Sequence, residues 1–573
     1  MERDVGTLSA AKVEVVDALP RGILAQLEVV LGTPDGIEAA RSLILDLAVK
    51  GRLLERNVDS KSAEPQLPRT AAVPFPLPPS WGSATMESLT TKLGAGSTPL
   101  GGKKVYKSAG ITFLRSQNVW NDGLRLTDVA LIDLKTHKDM RGTWVEPGDV
   151  LLNITGASIG RSAVVPDGFD AANVSQHVAI IRLKDKALRR FVHLCIISPY
   201  FQKRVMDVQV GVSREGLSMK RLREFPLPLP PVGEQARIVS RVEQLFALCD
   251  QLEAKQVRKS ELSKASTSAA LSALTKAESS DDRAVALRRI NDNFDELFDA
   301  LEAVAEFRRA LRVLAVRGWL APQVADEGDG TGVVRKLQAD LGAHRIDWAD
   351  VDPIKAASDA GISIPRSWAW VRLENTALFG PRNGYSPKAV EFETQTKSLT
   401  LTATTSGQFN GQHFKYIDEA IPADSSLWLE DGDLLVQRSN TIEYVGASAI
   451  YRGPPRTFIY PDLMMKLRLS PAIDLDWVHM VLSAETTRAY FRARASGTAG
   501  SMPKINQGVV AGAPIPVPPL DEQRRIVQRL IEMMRVCDVL EEKIQLRAKG
   551  AQQLAEALVA SIALPEGFKR SAG

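Results

Sequence analysis

The side chains able to do covalent or metal chemistry in this chain are scattered rather than grouped. Cys195, Cys249 and Cys537 lie far apart, which gives neither a disulfide framework nor a zinc set. That usage fits a reducing compartment. The histidines His137, His177, His193, His344, His413 and His479 show no metal-ligand spacing. No Gly-rich loop ends in Gly-Lys-Ser/Thr, the pattern that cradles nucleotide phosphates. No asparagine is followed by proline, so the Asn-Pro-Pro-aromatic signature of amino-methyltransferases is missing, and Asp352-Pro353-Ile354 does not replace it. Pro166-Asp167 and Pro461-Asp462 begin a nuclease-like pattern but lack a nearby acid-x-Lys. His193 and His479 sit in matching apolar settings, Phe191-Val192-His193-Leu194 and Trp477-Val478-His479-Met480. Both read as satisfied structural histidines, and what remains is a chain without an assembled catalytic or metal centre.

The bulk properties agree with a globular, non-membrane chain. At 573 residues it exceeds one core and predicts two to four domains. With 44% hydrophobic and 24% charged residues it is folded rather than disordered. A net charge of +4 leaves room for local basic patches on a near-neutral body. The start, Met1-Glu2-Arg3-Asp4, lacks a basic-then-apolar signal pattern, and no apolar run reaches membrane-span length, so a cytoplasmic location is expected.

An internal repeat organises the rest. Residues 226–253 (PLPLPPVGEQARIVSRVEQLFALCDQLE) align without gaps with 514–541 (PIPVPPLDEQRRIVQRLIEMMRVCDVLE), at an offset of 288. Residues 37–53 (IEAARSLILDLAVKGRL) align with 304–320 (VAEFRRALRVLAVRGWL), at an offset of 267. Between these anchors the match is loose: Ser80-Trp81 echoes Ser367-Trp368, and Gly96-Ser97-Thr98-Pro99 echoes Gly384-Tyr385-Ser386-Pro387. Likewise Glu146-Pro147-Gly148-Asp149 echoes Glu430-Asp431-Gly432-Asp433. The unit is helix, variable domain, helix.

The anchors carry heptad stripes of a helix–helix seam. They are Ile238, Val242, Leu245, Cys249, Leu252; Leu287, Ile290, Phe294, Leu297, Leu301, Val304; and Ile526, Leu530, Met533, Cys537, Leu540. The middle stripe predicts one helix over 284–316, about 50 Å long. The Pro-rich runs before Glu234 and Glu522 predict extended chain released into a helix. Asp149–Ile154 and Val178–Leu183 read as short buried strands. The stretch 189–223 carries Arg189, Arg190, Lys203, Arg204, Arg214, Lys220, Arg221 and Arg223 against Asp207, Glu215 and Glu224, a local basic surface.

Glu-Gln-x-Arg-Ile-Val at 234–239 and 522–527, Leu-Ala-Val-Lys/Arg-Gly-x-Leu at 47–53 and 314–320, and the tryptophans at 81 and 368 resemble the specificity (S) subunits of type I restriction-modification systems. The resemblance covers nearly the whole chain, and the linker 321–364 is longer than its counterpart at 54–80. It implies an α+β chain with two mixed α/β target recognition domains separated by long antiparallel coiled-coil helices in a pseudo-two-fold repeat. The boundaries expected are 1–74 (helical region and linker), 75–230 (first recognition domain), 231–325 (central helices), 326–361 (linker), 362–518 (second recognition domain) and 519–573 (C-terminal helix). It further implies double-stranded DNA as ligand and no catalysis in this chain. Two methyltransferase partners would use S-adenosylmethionine on adenine N6, and restriction subunits using ATP with Mg would be a further component.

Base reading needs Arg, Lys, Asn, Gln, Ser or Thr on groove-facing loops. The first-domain candidates are Arg115, Gln117 and Asn118, with Ser97, Thr98, Lys103 and Lys104 as a second loop. The second-domain candidates are Arg382, Asn383 and Tyr385; Gln437, Arg438, Asn440 and Thr441; and Lys504, Asn506 and Gln507. At each position a base contact, a phosphate contact and an ordinary solvated loop residue remain open. A stand-alone DNA-binding regulator and a protein-interaction scaffold of the same architecture are the alternative readings of the whole chain.

Overall fold

A computed structural model describes residues 36–54, 67–101, 105–207, 216–497 and 502–563. The chain divides into two compact units, Met1–Lys259 with Leu546–Gly573, and Ser260–Gln545. Each boundary falls inside a 44-residue helix, Val232–Thr275 or Leu520–Ala563.

In the first unit an antiparallel sheet runs in the order Thr90–Ala95, Val178–Leu183, Val150–Asn153, Ser162–Val164. Its central strands are apolar at almost every position because both faces are covered. Val150, Leu152, Ala179 and Ile181 face a core shared with the helices, whereas Leu151, Val178 and Ile180 face the second sheet. That sheet runs Ala130–Ile132, Ile111–Leu114, Ala172–Val174, Trp144–Val145. The strand pair Ile111–Leu114 and Ala172–Val174 is parallel.

The second unit repeats this plan except that the fourth strand of its second sheet lies at the opposite edge. Its first sheet runs Ala377–Asn383, Met464–Leu469, Leu434–Gln437, Ser448–Ile450, and its second Ala389–Val390, Phe414–Ile417, Thr396–Leu399, Phe458–Ile459. The pair Thr396–Leu399 and Phe458–Ile459 is again parallel. Leu434 and Val436 face the helical core, and Leu435 faces the second sheet.

A two-stranded ribbon closes each variable domain: Gly82–Thr85 with Pro226–Leu229, and Ala369–Arg372 with Pro514–Val517. A ribbon has only edge strands, where prolines lacking an N–H are tolerated. The Pro-rich runs are therefore strands leading directly into the long helices, and they explain part of the strict repeat.

The remaining invariances are contacts. The buried Trp81 indole donates to Glu234 Oε2 at 2.9 Å, and that of Trp368 to Glu522 Oε2 at 3.1 Å. Gln235 and Gln523 donate to the carbonyls of Pro230 (2.7 Å) and Pro518 (2.8 Å). Arg41 pairs with Asp250 and Glu253, and Arg308 pairs with Asp538 and Glu541. Gly51 and Gly318 end the Leu-Ala-Val segments at φ +68° and +72°, and a Cβ there would strike Pro78 and Trp81, or Pro365 and Trp368. Only glycine meets both demands cheaply.

The single helix expected over 284–316 is instead three segments: Ser280–Asp292, Phe294–Leu297 and Leu301–Val316. Asn293 leaves helical geometry and its side chain donates to the Arg289 carbonyl at 2.8 Å, ending the first segment. The next is docked by Thr267, whose hydroxyl donates to the Leu297 carbonyl at 2.7 Å. Phe294, Phe298 and Phe307 then pack together at the break in tilted and edge-on contacts. The kinked path takes two stripe positions to the surface, Leu287 at 50% exposure and Leu301 at 39%. Ile290, Leu297 and Val304 are buried, and Phe294 is half-buried. Ile238, Val242, Leu245, Cys249, Ile526, Leu530 and Cys537 are also buried, whereas Leu252, Met533 and Leu540 pack at the margins of their cores.

The Glu-x-Gly-Asp echo has an electrostatic purpose. Buried Asp149 accepts from Arg182 Nε and Nη2, both at 2.9 Å, and from the Glu146 backbone N–H at 2.8 Å. Buried Asp433 likewise accepts from Arg468 Nε at 2.9 Å and the Glu430 N–H at 2.8 Å. It also pairs at 3.4 Å with Lys466, which is only 2% exposed. Burial pushes the Lys466 ammonium below its ordinary value, and Asp433 opposes that shift. Removing one partner of such a buried set strands the others, at a cost of about 3–5 kcal/mol. Asp433→Ala should lose stability on that scale in urea unfolding, and a loss below about 1 kcal/mol would contradict this account of the site.

Candidate nucleic-acid interface

The two sheets of each variable domain are braced where their strands end. Asn153 Nδ2 donates to the Ser116 carbonyl at 2.8 Å, and Gln437 Nε2 donates to the Leu401 carbonyl at 2.8 Å. Both amides are fully buried. The brace sets the loop after Ile111–Leu114, or after Thr396–Leu399, against the loop after a central strand of the other sheet. In the first domain these loops lie at 115–121 and 154–161, and in the second at 400–408 and 438–447.

This geometry sorts the expected readers. Asn118 is 1% exposed; its Oδ1 accepts from the Arg115 N–H at 3.0 Å and its Nδ2 donates to the Arg125 carbonyl at 2.8 Å. Gln437 also donates to Thr404 and Thr405 hydroxyls and accepts from Asn440 Nδ2 at 2.7 Å. Asn118 and Gln437 are thus framework residues whose hydrogen-bonding capacity is taken up internally. This corrects the expectation that they face a groove. Asn440 is half-committed, since its Oδ1 also accepts from the Thr441 N–H at 2.7 Å.

Arg115, Asn383 and Arg438 behave differently. Arg115 donates from Nη2 to the Asp128 carbonyl at 2.9 Å and lies 5.7 Å over the Tyr106 ring. Its Nε is buried without a protein partner, as are Arg438 Nε and Asn383 Oδ1. Arg115, Asn383 and Arg438 are all half-buried, so part of each side chain reaches the surface. Arg438 occupies the backbone position that buried Ile154 holds in the first domain. There the N–H of Ile154 donates to the His177 carbonyl at 3.0 Å, and that of Arg438 to the Leu463 carbonyl at 2.7 Å.

The other candidates are surface groups. Gln117, Ser97, Thr98, Arg382, Thr441, Lys504 and Gln507 are exposed. The Ser97 and Tyr385 loops start alike, on glycines whose Cβ would collide with the Val174 and Tyr460 carbonyls. The Tyr385 hydroxyl donates to Glu419, and the Asn506 Oδ1 caps the helix Gln507–Ala511 by accepting from the Val509 N–H. Lys103, Lys104 and Arg214 lie outside the described residues.

One feature at the first domain's loops is invisible in sequence. Trp120 is held between Arg125 and Arg161, whose guanidinium carbons lie 3.7 and 3.8 Å from its ring centre. The Trp120 indole N–H is fixed on the Gln117 carbonyl at 2.8 Å. Arg125 Nη2 also donates to the exposed Asp122 Oδ2 at 3.3 Å, and a guanidinium set over a ring in this way keeps further N–H donors for phosphate or guanine. Arg125 follows Trp120 by five residues and Arg161 joins only through the fold.

His193 and His479 each place Nε2 3.0 Å from a carbonyl oxygen, of Ser162 and Ser448. Burial holds both rings below the ordinary histidine value. Each pins a helix to a strand.

Each unit holds one variable domain beside its helical segments, and known proteins resemble this chain along most of its length. Residues 101–261 match the family described as the type I restriction modification DNA specificity domain. The chain is 24% identical over 556 residues to the type I restriction enzyme EcoEI specificity subunit of Escherichia coli, covering 91% of this chain and 93% of that one. It is 24% identical to the EcoAI specificity subunit of the same organism, over 91% and 93%. The HsdS subunit from Thermoanaerobacter tengcongensis aligns with 85% of this chain and 98% of its own, at 16% identity and a TM-score of 0.40, too loosely to carry weight. The chain is therefore similar along nearly its full length to type I specificity subunits. No helix among the described residues is long and apolar enough to cross a membrane.

A good bidentate contact discriminates bases by roughly 1–3 kcal/mol. Arg115→Ala should weaken binding or relax one half of the recognised site, and Arg438→Ala the other half, each leaving its opposite half intact. Unchanged affinity and unchanged preference in a fluorescence binding series over variant duplexes would remove that residue from the interface.

Proposed function

We propose that this chain is the DNA sequence-specificity subunit of a type I restriction-modification complex. Each variable domain, 75–230 and 362–518, reads one half of a bipartite asymmetric site. The helical segments at 231–325 and 519–573 set the half-site spacing and dock two methyltransferase subunits. Those partners supply adenine-N6 methylation with S-adenosylmethionine. Restriction subunits, where present, supply ATP- and Mg-dependent cleavage, and this chain supplies recognition alone.

The observation that carries the reading is the division of labour between repeated and divergent residues. Trp81–Glu234 and Trp368–Glu522 are the same contact made twice, as are Asn153–Ser116 and Gln437–Leu401. Around those frames the solvent-facing loops share almost no chemistry. The Arg125–Trp120–Arg161 cluster is not repeated in the second domain, where Ala447 at the position matching Arg161 supplies no guanidinium. Two similar frames with different readers suit a site whose halves differ, whereas an identical pair would demand a palindrome.

Methylation-aware sequencing of the host genome tests this. One split, asymmetric adenine-methylated motif should be present, and deletion of this gene should erase it while the methyltransferase gene stays intact. A motif that survives the deletion would sink the assignment.

A further inference from the structure

The second unit carries a partly open cavity of about 850 Å³ that the recognition role does not explain. Its walls are the helix Leu301–Val316, residues 527–538 of the helix Leu520–Ala563, the helices Leu475–Ser483 and Glu485–Arg494, and the loops at 405–408 and 443–448.

Five arginines line it: Arg309, Arg312, Arg488, Arg492 and Arg535. Among the described residues only Arg492 forms an ion pair, with Glu485. Arg488 donates from Nη2 to the Glu443 carbonyl at 2.7 Å and leaves a buried Nη1 with no protein partner. Two lining carboxylates are engaged with arginines outside the cavity, Asp476 with Arg452 and Asp538 with Arg308. Glu443 alone remains without an arginine partner, held by the Thr441 side chain. Desolvation pushes the Arg488 guanidinium down to about 10 and lowers Arg312 as well. Charges taken out of water in this way are costly unless an opposite charge joins them.

The first unit does not repeat these five arginines. By the repeat offsets of 267, 286 and 288, the positions of Arg309, Arg312, Arg488, Arg492 and Arg535 are held there by Ser42, Leu45, Gln202, Met206 and Ala247. No frame contact needs these arginines, since the same frame forms without them. They are an addition to one half.

We infer that this cavity is an anion site of the second unit, taking a compact phosphate-bearing ligand through Arg312 and Arg488 and lacking a counterpart in the first. A guanidinium fork matches phosphate oxygens bidentately. Several unpaired forks in one cavity call for a ligand with more than one negative charge. The volume lies within the roughly 300–1,000 Å³ of small-ligand sites, too small for a duplex. The apolar wall of Val527, Leu530 and Met534 excludes water from one side.

Calorimetric titration of the full chain with inorganic pyrophosphate, at ionic strength fixed with NaCl, tests the inference. Saturable one-to-one binding is expected, weakened at least tenfold by Arg488→Gln and by Arg312→Leu. Both variants install the first unit's own residue, and their thermal midpoints without anion should equal or exceed that of the unaltered chain. Arg535→Ala, at the exposed rim, gives a third variant with a smaller expected loss. Failure of pyrophosphate to saturate, binding unchanged in both the Arg488 and Arg312 variants, or equally tight binding of citrate would overturn it.

Discussion

The fold depends on one hydrogen bond made twice, from a buried indole N–H to a glutamate at the start of a long helix. Trp81 and Trp368 fill the neck of each variable domain, and Glu234 and Glu522 sit one turn into the helices that follow. Each bond fixes the angle at which a closing ribbon passes into its helix. Glu522 is 2% exposed, and desolvation raises its pKa against the pull of the Trp368 N–H. A carboxylate is kept there at some cost to stability because nothing apolar would orient the indole. Gly51 and Gly318 complete the joint by letting the preceding helix turn against the same tryptophans.

With the neck fixed, the sheets can vary at their tips. The amide braces Asn153 and Gln437 and the buried acids Asp149 and Asp433 hold the strands in register from inside. The loops beyond them are then free to change. One domain builds a guanidinium–indole–guanidinium stack; the other places Arg438 where its counterpart has buried Ile154. The same freedom allows five arginines to line a cavity in one unit and none of their counterparts to be charged in the other.

The repeat made the frame legible from sequence, because its contacts tie residues that recur at fixed offsets. The strands at 150–153 and 178–183 were legible for a simpler reason: coverage on both faces demands unbroken apolar runs. The kink at 293–300 was not, since a heptad stripe continues through it while Asn293 ends the helix. The readers were legible by residue type only. Asn118 and Gln437 have the right chemistry for base edges, yet each faces a carbonyl brought close by strand packing. Nothing local distinguishes them from Arg115 and Arg438, which keep buried atoms unpaired. The arginine cavity was hidden altogether, because its wall comes from segments as far apart as Arg309 and Arg535.

The central claim is that one frame, used twice, carries two interchangeable readers. Replacing residues 369–517 by residues 82–229 exchanges everything between the second pair of neck contacts for the first domain's reader. The methylation motif written by a complex containing that chimera is the direct measurement. It should become an inverted repeat of the first half-site at unchanged spacing. Retention of the original asymmetric motif by the folded chimera would contradict the account.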